Sequence, residues 1–173
     1  MGKIVFISSS LSKNSRSAKL IQYTANRSKE LGNEIQIIDL REREIPFCDG
    51  RKLSDYSTDI QDLYNDIKST DSIIFGFPIY CYSISGVLKN FLDIFSYAMK
   101  EKSFGVCASA GSKMSFLAIA DLYKIMQFQS NAKGVLPAVL VDYEDFKDDI
   151  PTEPIKERID HMLESLSTEK NRL

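Results

Sequence analysis

Apolar positions along this 173-residue chain follow two rhythms. Short runs rich in Val, Ile and Phe read as strands at 3–8, 34–39, 72–76, 103–108 and 135–141. Between them lie longer segments whose apolar residues recur every three or four positions, which predicts helices over 17–31, 58–69, 86–99, 115–130 and 153–166. Gly32 and Asn33 supply a natural stop for the first helix. The third run, Ser72-Ile73-Ile74-Phe75-Gly76, is apolar without alternation, as expected of a central strand covered on both faces. Strand and helix alternate five times with no repeat, low-complexity tract or break in composition. This predicts one α/β domain over 1–173, a three-layer sandwich whose five-stranded parallel sheet has the order 2-1-3-4-5 with helices on both faces. Sheets wound this way bind ligands beyond the carboxyl ends of their strands, where the order reverses between strands 1 and 3. The segments after strands 1 and 3 are therefore expected to line one site.

Composition narrows the function classes. Hydrophobic residues make up 43% of the chain, enough for one substantial core, and 22 Lys and Arg are dispersed among 24 Asp and Glu. The resulting net charge of −2 offers no basic face for nucleic acid or an anionic membrane, and neither partner is expected. No stretch approaches the roughly 20 apolar residues of a membrane span or the core of a signal peptide, so a cytoplasmic protein is expected. Cys48, Cys81 and Cys107 are odd in number and widely spaced, which fits reduced thiols and neither a disulfide framework nor a zinc pattern. His161, the single histidine, lies off the apolar stripe of its helix, which argues against a Ser-His-Asp or Cys-His hydrolase. The acidic run from Asp142 to Asp149 lacks the central glycine and terminal glutamate of an EF-hand loop and reads as a solvated loop, with no metal expected.

Candidate chemistry gathers in three loops. The first strand runs into Ser8-Ser9-Ser10-Leu11-Ser12-Lys13-Asn14-Ser15-Arg16-Ser17, six serines with an arginine and a lysine at the start of a helix. Helix starts carry unpaired N–H groups and a positive dipole end, so these hydroxyls could cradle a phosphomonoester or could simply cap the helix. Neither the G-x-G-x-x-G of dinucleotide sites nor a P-loop follows the strand. The third strand leads into Phe77-Pro78-Ile79-Tyr80-Cys81-Tyr82-Ser83, an apolar loop whose proline fixes the backbone and whose tyrosines suit a flat aromatic ligand or a subunit contact. Ser109-Ala110-Gly111-Ser112, after the fourth strand, is small enough for a ring edge to approach the backbone.

With these loops in place, the chain resembles the NAD(P)H-dependent FMN reductases of the flavodoxin-like superfold over nearly its whole length. The resemblance rests on the serine and arginine loop, on Asp39-Leu40 with Ile45-Pro46-Phe47-Cys48-Asp49, and above all on Pro78-x-Tyr80 followed by Ser85-Gly86-x-Leu88-Lys89-Asn90-x-x-Asp93. It looks most like the small reductases that supply reduced FMN to a partner flavin-dependent monooxygenase. The resemblance implies that Ser8, Ser10, Ser15, Arg16 and Ser17 hold an FMN phosphate. It implies that Pro78, Ile79, Tyr80 and Ser83 contact the ring and ribityl chain, and that Ser109, Ala110, Gly111 and Ser112 line the pyrimidine side. Two departures stand out: the family's loop after the fourth strand is usually richer in glycine, and Ser85 stands where many members have proline.

The implied activity is hydride transfer from NADPH or NADH to flavin N5, which demands no protein acid or base and no catalytic residue. Alternatives are a flavodoxin-like electron carrier, or a reductase of quinones, azo dyes or metal oxyanions with tightly held FMN. Phe116 to Phe128 is apolar around most of its helical circumference, and Val87, Leu88, Phe91, Leu92, Phe95 and Met99 mark the preceding helix. Together they predict a homodimer or homotetramer joined through the third and fourth helices.

Overall fold

Side chains on successive strand residues point to opposite faces, and this parity divides the core in two. The computed structural model describes residues 2–170. In chain order the elements are β1 (Lys3–Ser8), α1 (Arg16–Glu30), β2 (Glu34–Asp39), α2 (Thr58–Lys68), β3 (Ser72–Tyr80), β4 (Ser83–Ile84) and α3 (Gly86–Phe95). They continue with β5 (Ser103–Ser109), α4 (Ile119–Ser130), β6 (Lys133–Gly134), β7 (Val139–Val141), the hairpin of β8 (Phe146–Lys147) and β9 (Ile150–Pro151), and α5 (Glu153–Lys170). Val5, Ile7, Ile73, Phe75, Phe104 and Val106 face α2, α3 and α4, whereas Ile4, Phe6, Ile74 and Cys107 face α1 and α5.

The sheet runs β2-β1-β3-β5, all parallel, with β6 and β7 both pairing to the outer edge of β5. This is the expected 2-1-3-4-5 order with two corrections. The last strand, expected as one run over 135–141, is confined to β7 at Val139–Val141; the short β6 lies before the expected run, and Leu136-Pro137 interrupts the edge between them, because a proline has no N–H to give to the ladder. The third strand is longer than expected, continuing through Pro78 to Tyr80. Ser9 N–H donates to the Gly76 carbonyl at 2.9 Å, so even-numbered residues of β3 direct their backbone groups toward β1. The Pro78 ring thus replaces an N–H on the side where β1 has already ended at Ser8, opposite Gly76.

Helix boundaries also shift. The third helix passes into a 3₁₀ turn at Ser96–Met99, and the fourth is preceded by another at Lys113–Ala118. Leu88, Phe91, Leu92, Phe95 and Met99, read from sequence as interface residues, are at most 1% exposed within the chain's own core. Phe91 and Phe95 stack at 4.6 Å between ring centroids. Exposed apolar side chains remain along the expected Phe116 to Phe128 segment, at Phe116 and Leu117 in the 3₁₀ turn and Phe128 on α4, and at Leu136 in the β6–β7 connection.

Candidate functional site

The carboxyl ends of β1, β3 and β5 enclose a cleft of about 220 Å³ lined by Ser10, Ser12, Asn14, Ser15, Arg16, Pro78, Ile79, Tyr80, Ser109, Ala110 and Gly111. Its floor follows from the start of α1. Ser15 is the N-cap: its Oγ accepts the Ala18 N–H at 3.1 Å and its carbonyl accepts that of Lys19. The Arg16 and Ser17 N–H groups precede any residue able to accept them within the helix, and no acidic side chain occupies the first turn. Arg16 makes no ion pair among the described residues; its Nη2 reaches 3.5 Å toward the Ala110 carbonyl, across the cleft. Among the described residues, no carboxylate lines the cleft. Hydroxyls, the N–H groups of a helix start and one guanidinium without an ion pair among the described residues, around a small opening, suit a phosphomonoester dianion. Beneath them, the buried Ser8 hydroxyl has no hydrogen-bond partner.

The loop is braced from both sides. Arg41 donates to the Asp39 carboxylate at the end of β2 and, through Nη1, to the Ser12 carbonyl at 3.2 Å. Burial raises the Asp39 carboxyl pKa, but the Arg41 hydrogen bonds outweigh it and leave the group below its ordinary value. On the other side Ser9 Oγ donates to the Gly76 carbonyl at 3.2 Å and lies 3.4 Å from Ser85 Oγ, the N-cap of α3. The serine loop and the start of α3 are thereby connected through β3.

The segment expected as a loop after the third strand is a hairpin, with Ile79 opposite Ile84 and Tyr80 opposite Ser83. Its two-residue turn, Cys81-Tyr82, has φ of 49° and 58°, the left-handed pair that a type I′ turn requires and that usually falls to Asn-Gly. The hairpin leaves Tyr80, which lines the cleft, and Tyr82, at the turn, exposed. Ser83 Oγ donates to Asp121 Oδ2 at 2.7 Å, and this bond, with the nearby Lys124, holds the Asp121 carboxyl below its usual range.

Nine of the thirteen residues expected at the site therefore line one cleft: Ser10, Ser15, Arg16, Pro78, Ile79, Tyr80, Ser109, Ala110 and Gly111. Four do not line it, each for a local reason. Ser8 is buried at the end of β1, and Ser17 is buried with its Oγ 3.0 Å from Ser15 Oγ. Ser83 is engaged by Asp121, and Ser112 caps the 3₁₀ turn by accepting the Met114 N–H at 3.2 Å. Ser12 and Asn14 line the cleft and were not singled out; the signal available was only their place in the same polar loop. Cys107 is buried and its thiol pushed up to about 12 by that burial, which leaves it inert as a thiolate. The acidic run folds on itself: Asp145 accepts from Lys113 Nζ and from the Asp142 N–H, both at 2.9 Å.

Comparison with known proteins meets this geometry. An NAD(P)H-dependent FAD/FMN reductase of Geobacillus thermodenitrificans is 36% identical over 92 residues, 53% of this chain and 50% of that protein. An FMN-dependent NADH:quinone oxidoreductase of Shewanella frigidimarina is 30% identical over 113 residues, 57% of each chain. The chain thus spans about half the length of the curated relatives it matches. Among solved structures, an NADH:FMN oxidoreductase in its apo form superposes with a TM-score of 0.82 at 22% identity, covering 98% of this chain and 90% of that one, which establishes the shared fold. The family model described as NADPH-dependent FMN reductase matches residues 2–144, and the chain belongs to that family.

Proposed function

We propose that the chain is an NAD(P)H-dependent flavin reductase that holds FMN by its phosphate in the cleft at the start of α1. The observation that carries this reading is Arg16, a cation without a carboxylate partner among the described residues, at the first position of a helix that starts at the sheet's switch point. Family membership and the names of the relatives support the same cofactor and the same class of reductant.

FMN, when bound, supplies a ring nitrogen that accepts a hydride from the nicotinamide. Everything else asked of the chain is binding and orientation. Arg16, Ser10 and Ser15 would hold the phosphate, with Ser12 and Asn14 closing its rim. A cleft of about 220 Å³ is smaller than a full small-molecule site, so it would enclose only part of the flavin, and Pro78, Ile79, Tyr80, Ser109, Ala110 and Gly111 of the same lining would be the contacts available to its ring and ribityl chain. Among the described residues, no histidine or carboxylate lines the cleft, in keeping with a transfer that moves no proton through the protein. The test is oxidation of NADPH and NADH by the purified chain, followed by absorbance with and without added FMN. FMN-dependent acceleration is expected. FMN binding without nicotinamide oxidation would point to an electron carrier and overturn the reductase.

We further infer self-association through the groove of about 510 Å³ formed by Phe116, Leu117, Tyr123, Leu136, Pro137 and Leu140, with Arg158 at its rim. Leu117 and Leu136, each 69% exposed, are the kind of contiguous apolar surface that a second copy covers. Light scattering of the wild-type chain is expected to give a multiple of the single-chain mass, and Leu117→Asp the mass of one chain. A single-chain mass for wild type would overturn the inference.

A further inference from the structure

The tip of the β8–β9 hairpin reaches the serine loop through one side chain. Lys19 of α1 donates from Nζ to Asp149 Oδ1 at 2.5 Å and to Asn14 Oδ1 at 2.7 Å. Asp148 and Asp149 form the hairpin's two-residue turn, with φ of 50° and 64°. At its base the hairpin is fastened: the Asp145 carboxylate accepts from Lys113 Nζ, the Asp145 carbonyl accepts the Thr152 N–H at 2.9 Å, and Phe146 packs against the core. Residues 146–151 lie beyond the 2–144 matched by the family model, so the contact from Asp149 falls outside the family pattern.

This contact decides which end of the Asn14 amide is free. An ammonium has N–H groups only, so the Asn14 atom that faces Lys19 is the oxygen. The remaining polar atom is Nδ2, whose two N–H groups find no acceptor among the described residues, and Asn14 lines the phosphate cleft with Ser15 and Arg16. Turned the other way, the amide would present an oxygen to an incoming anion. A lysine stem by itself has many rotamers of similar energy, and Asp149 keeps this one in place while offsetting its charge.

We propose that Asp149 acts through Lys19 as a positioning residue for the flavin phosphate, turning the Asn14 amide so that its N–H groups, and not its oxygen, face the anion. The proposal rests on the reading that this phosphate lies in the cleft beside Arg16. The Asp149 side chain is 73% exposed, and an ion pair so exposed adds little to stability. What it contributes is orientation. It ties a rim side chain of the cleft to a hairpin that is itself anchored in the core.

The experiment is titration of the full chain with FMN, followed by flavin fluorescence, for wild type, Asn14→Ala, Asp149→Gly, Asp149→Asn, Asp148→Gly and the double variant Asn14→Ala with Asp149→Gly. Glycine and asparagine both accept the positive φ of the turn, so these changes leave the hairpin in place. Asn14→Ala is expected to weaken FMN about tenfold, the loss of one hydrogen bond to a charged group. Asp149→Gly is expected to weaken it about threefold and the double variant to match Asn14→Ala, since both changes remove one interaction. Asp149→Asn keeps an oxygen for Lys19 and is expected to bind FMN nearly as wild type does. Asp148→Gly removes the same charge one residue away without touching Lys19, and is expected not to weaken FMN. Three results each overturn the proposal and leave the flavin reading standing: Asn14→Ala binding like wild type, Asp149→Gly tracking Asp148→Gly or Asp149→Asn, or a double variant weaker than Asn14→Ala by the full Asp149 factor. Failure of the wild-type chain to bind FMN overturns the flavin reading and the proposal with it.

Discussion

Replacing Arg16 with alanine is expected to weaken FMN binding by about ten- to a hundredfold while the fold stays intact. A hydrogen bond to a charged group is worth about 1.5–3 kcal/mol, and each 1.4 kcal/mol is a factor of ten in affinity. Arg16 is the cleft's one lining cation among the described residues, and without it the phosphate retains only hydroxyls and N–H groups. Its side chain has no ion pair to lose among those residues, and its long contact to the Ala110 carbonyl adds little to stability. Flavin fluorescence titration measures the affinity, and circular dichroism checks the fold. Arg16→Lys is expected to fall between wild type and alanine, because an ammonium keeps the charge but not the planar fork. Ser112→Ala, outside the cleft, serves as the control. An Arg16→Ala chain that binds FMN like wild type would remove the phosphate from this position.

Gly76→Ala is expected to destabilise the whole chain. A Cβ built at Gly76 falls 2.0 Å from Ile21 Cγ1 and 2.7 Å from Cδ1, far inside van der Waals contact, and Ile21 is itself buried on the inner face of α1. Helix α1 lies close on β3 because this side chain is missing. Over-packing of a tight core costs about 1–3 kcal/mol, and the severity of the overlap places this change at the upper end, a fall in Tm of roughly 5–10 °C for a chain of this size. The change also reaches the site. Moving α1 outward moves Ser15 and Arg16, so flavin affinity is expected to drop alongside Tm. Adding Ile21→Ala to Gly76→Ala opens the space the methyl needs and is expected to recover part of both. Thermal unfolding with the Tm of wild type would show that α1 accommodates the methyl.

Both predictions depend on residues whose roles were unequally visible in the sequence. β1 and β2 fall where apolar runs placed them, because each run is bounded by polar residues that end the ladder. β3 was read four residues short because Pro78 looks like a strand breaker; it is tolerated only because β1 has already ended beside it, a fact of the neighbouring strand. The α3 residues read as an interface were buried by the chain's own sheet and helices, and single-helix periodicity does not reveal how many neighbours a helix has. At the site, strand-end logic brought Arg16, Pro78 and Ser109 together across 93 residues of sequence, since they stand at or just beyond the carboxyl ends of three parallel strands. It included Ser83, whose hydroxyl is engaged by Asp121 of α4 and does not line the cleft, and passed over Ser12 and Asn14. Loop side-chain direction follows from hydrogen bonds that no periodicity encodes.

The broken last strand has a consequence for how copies of this chain meet. A sheet edge is hazardous when it presents a long, flat row of unpaired N–H and C=O groups, since any extended peptide can add to it. Here that edge is β6, two residues long, and β7, three residues long, with Leu136-Pro137 between them. An incoming strand finds no continuous ladder to extend, and the same connection turns Leu136 and Pro137 outward into the apolar groove. Contact on this flank is thereby steered away from edge-to-edge growth, which has no natural end, and toward side-chain packing between matched faces, which closes on itself.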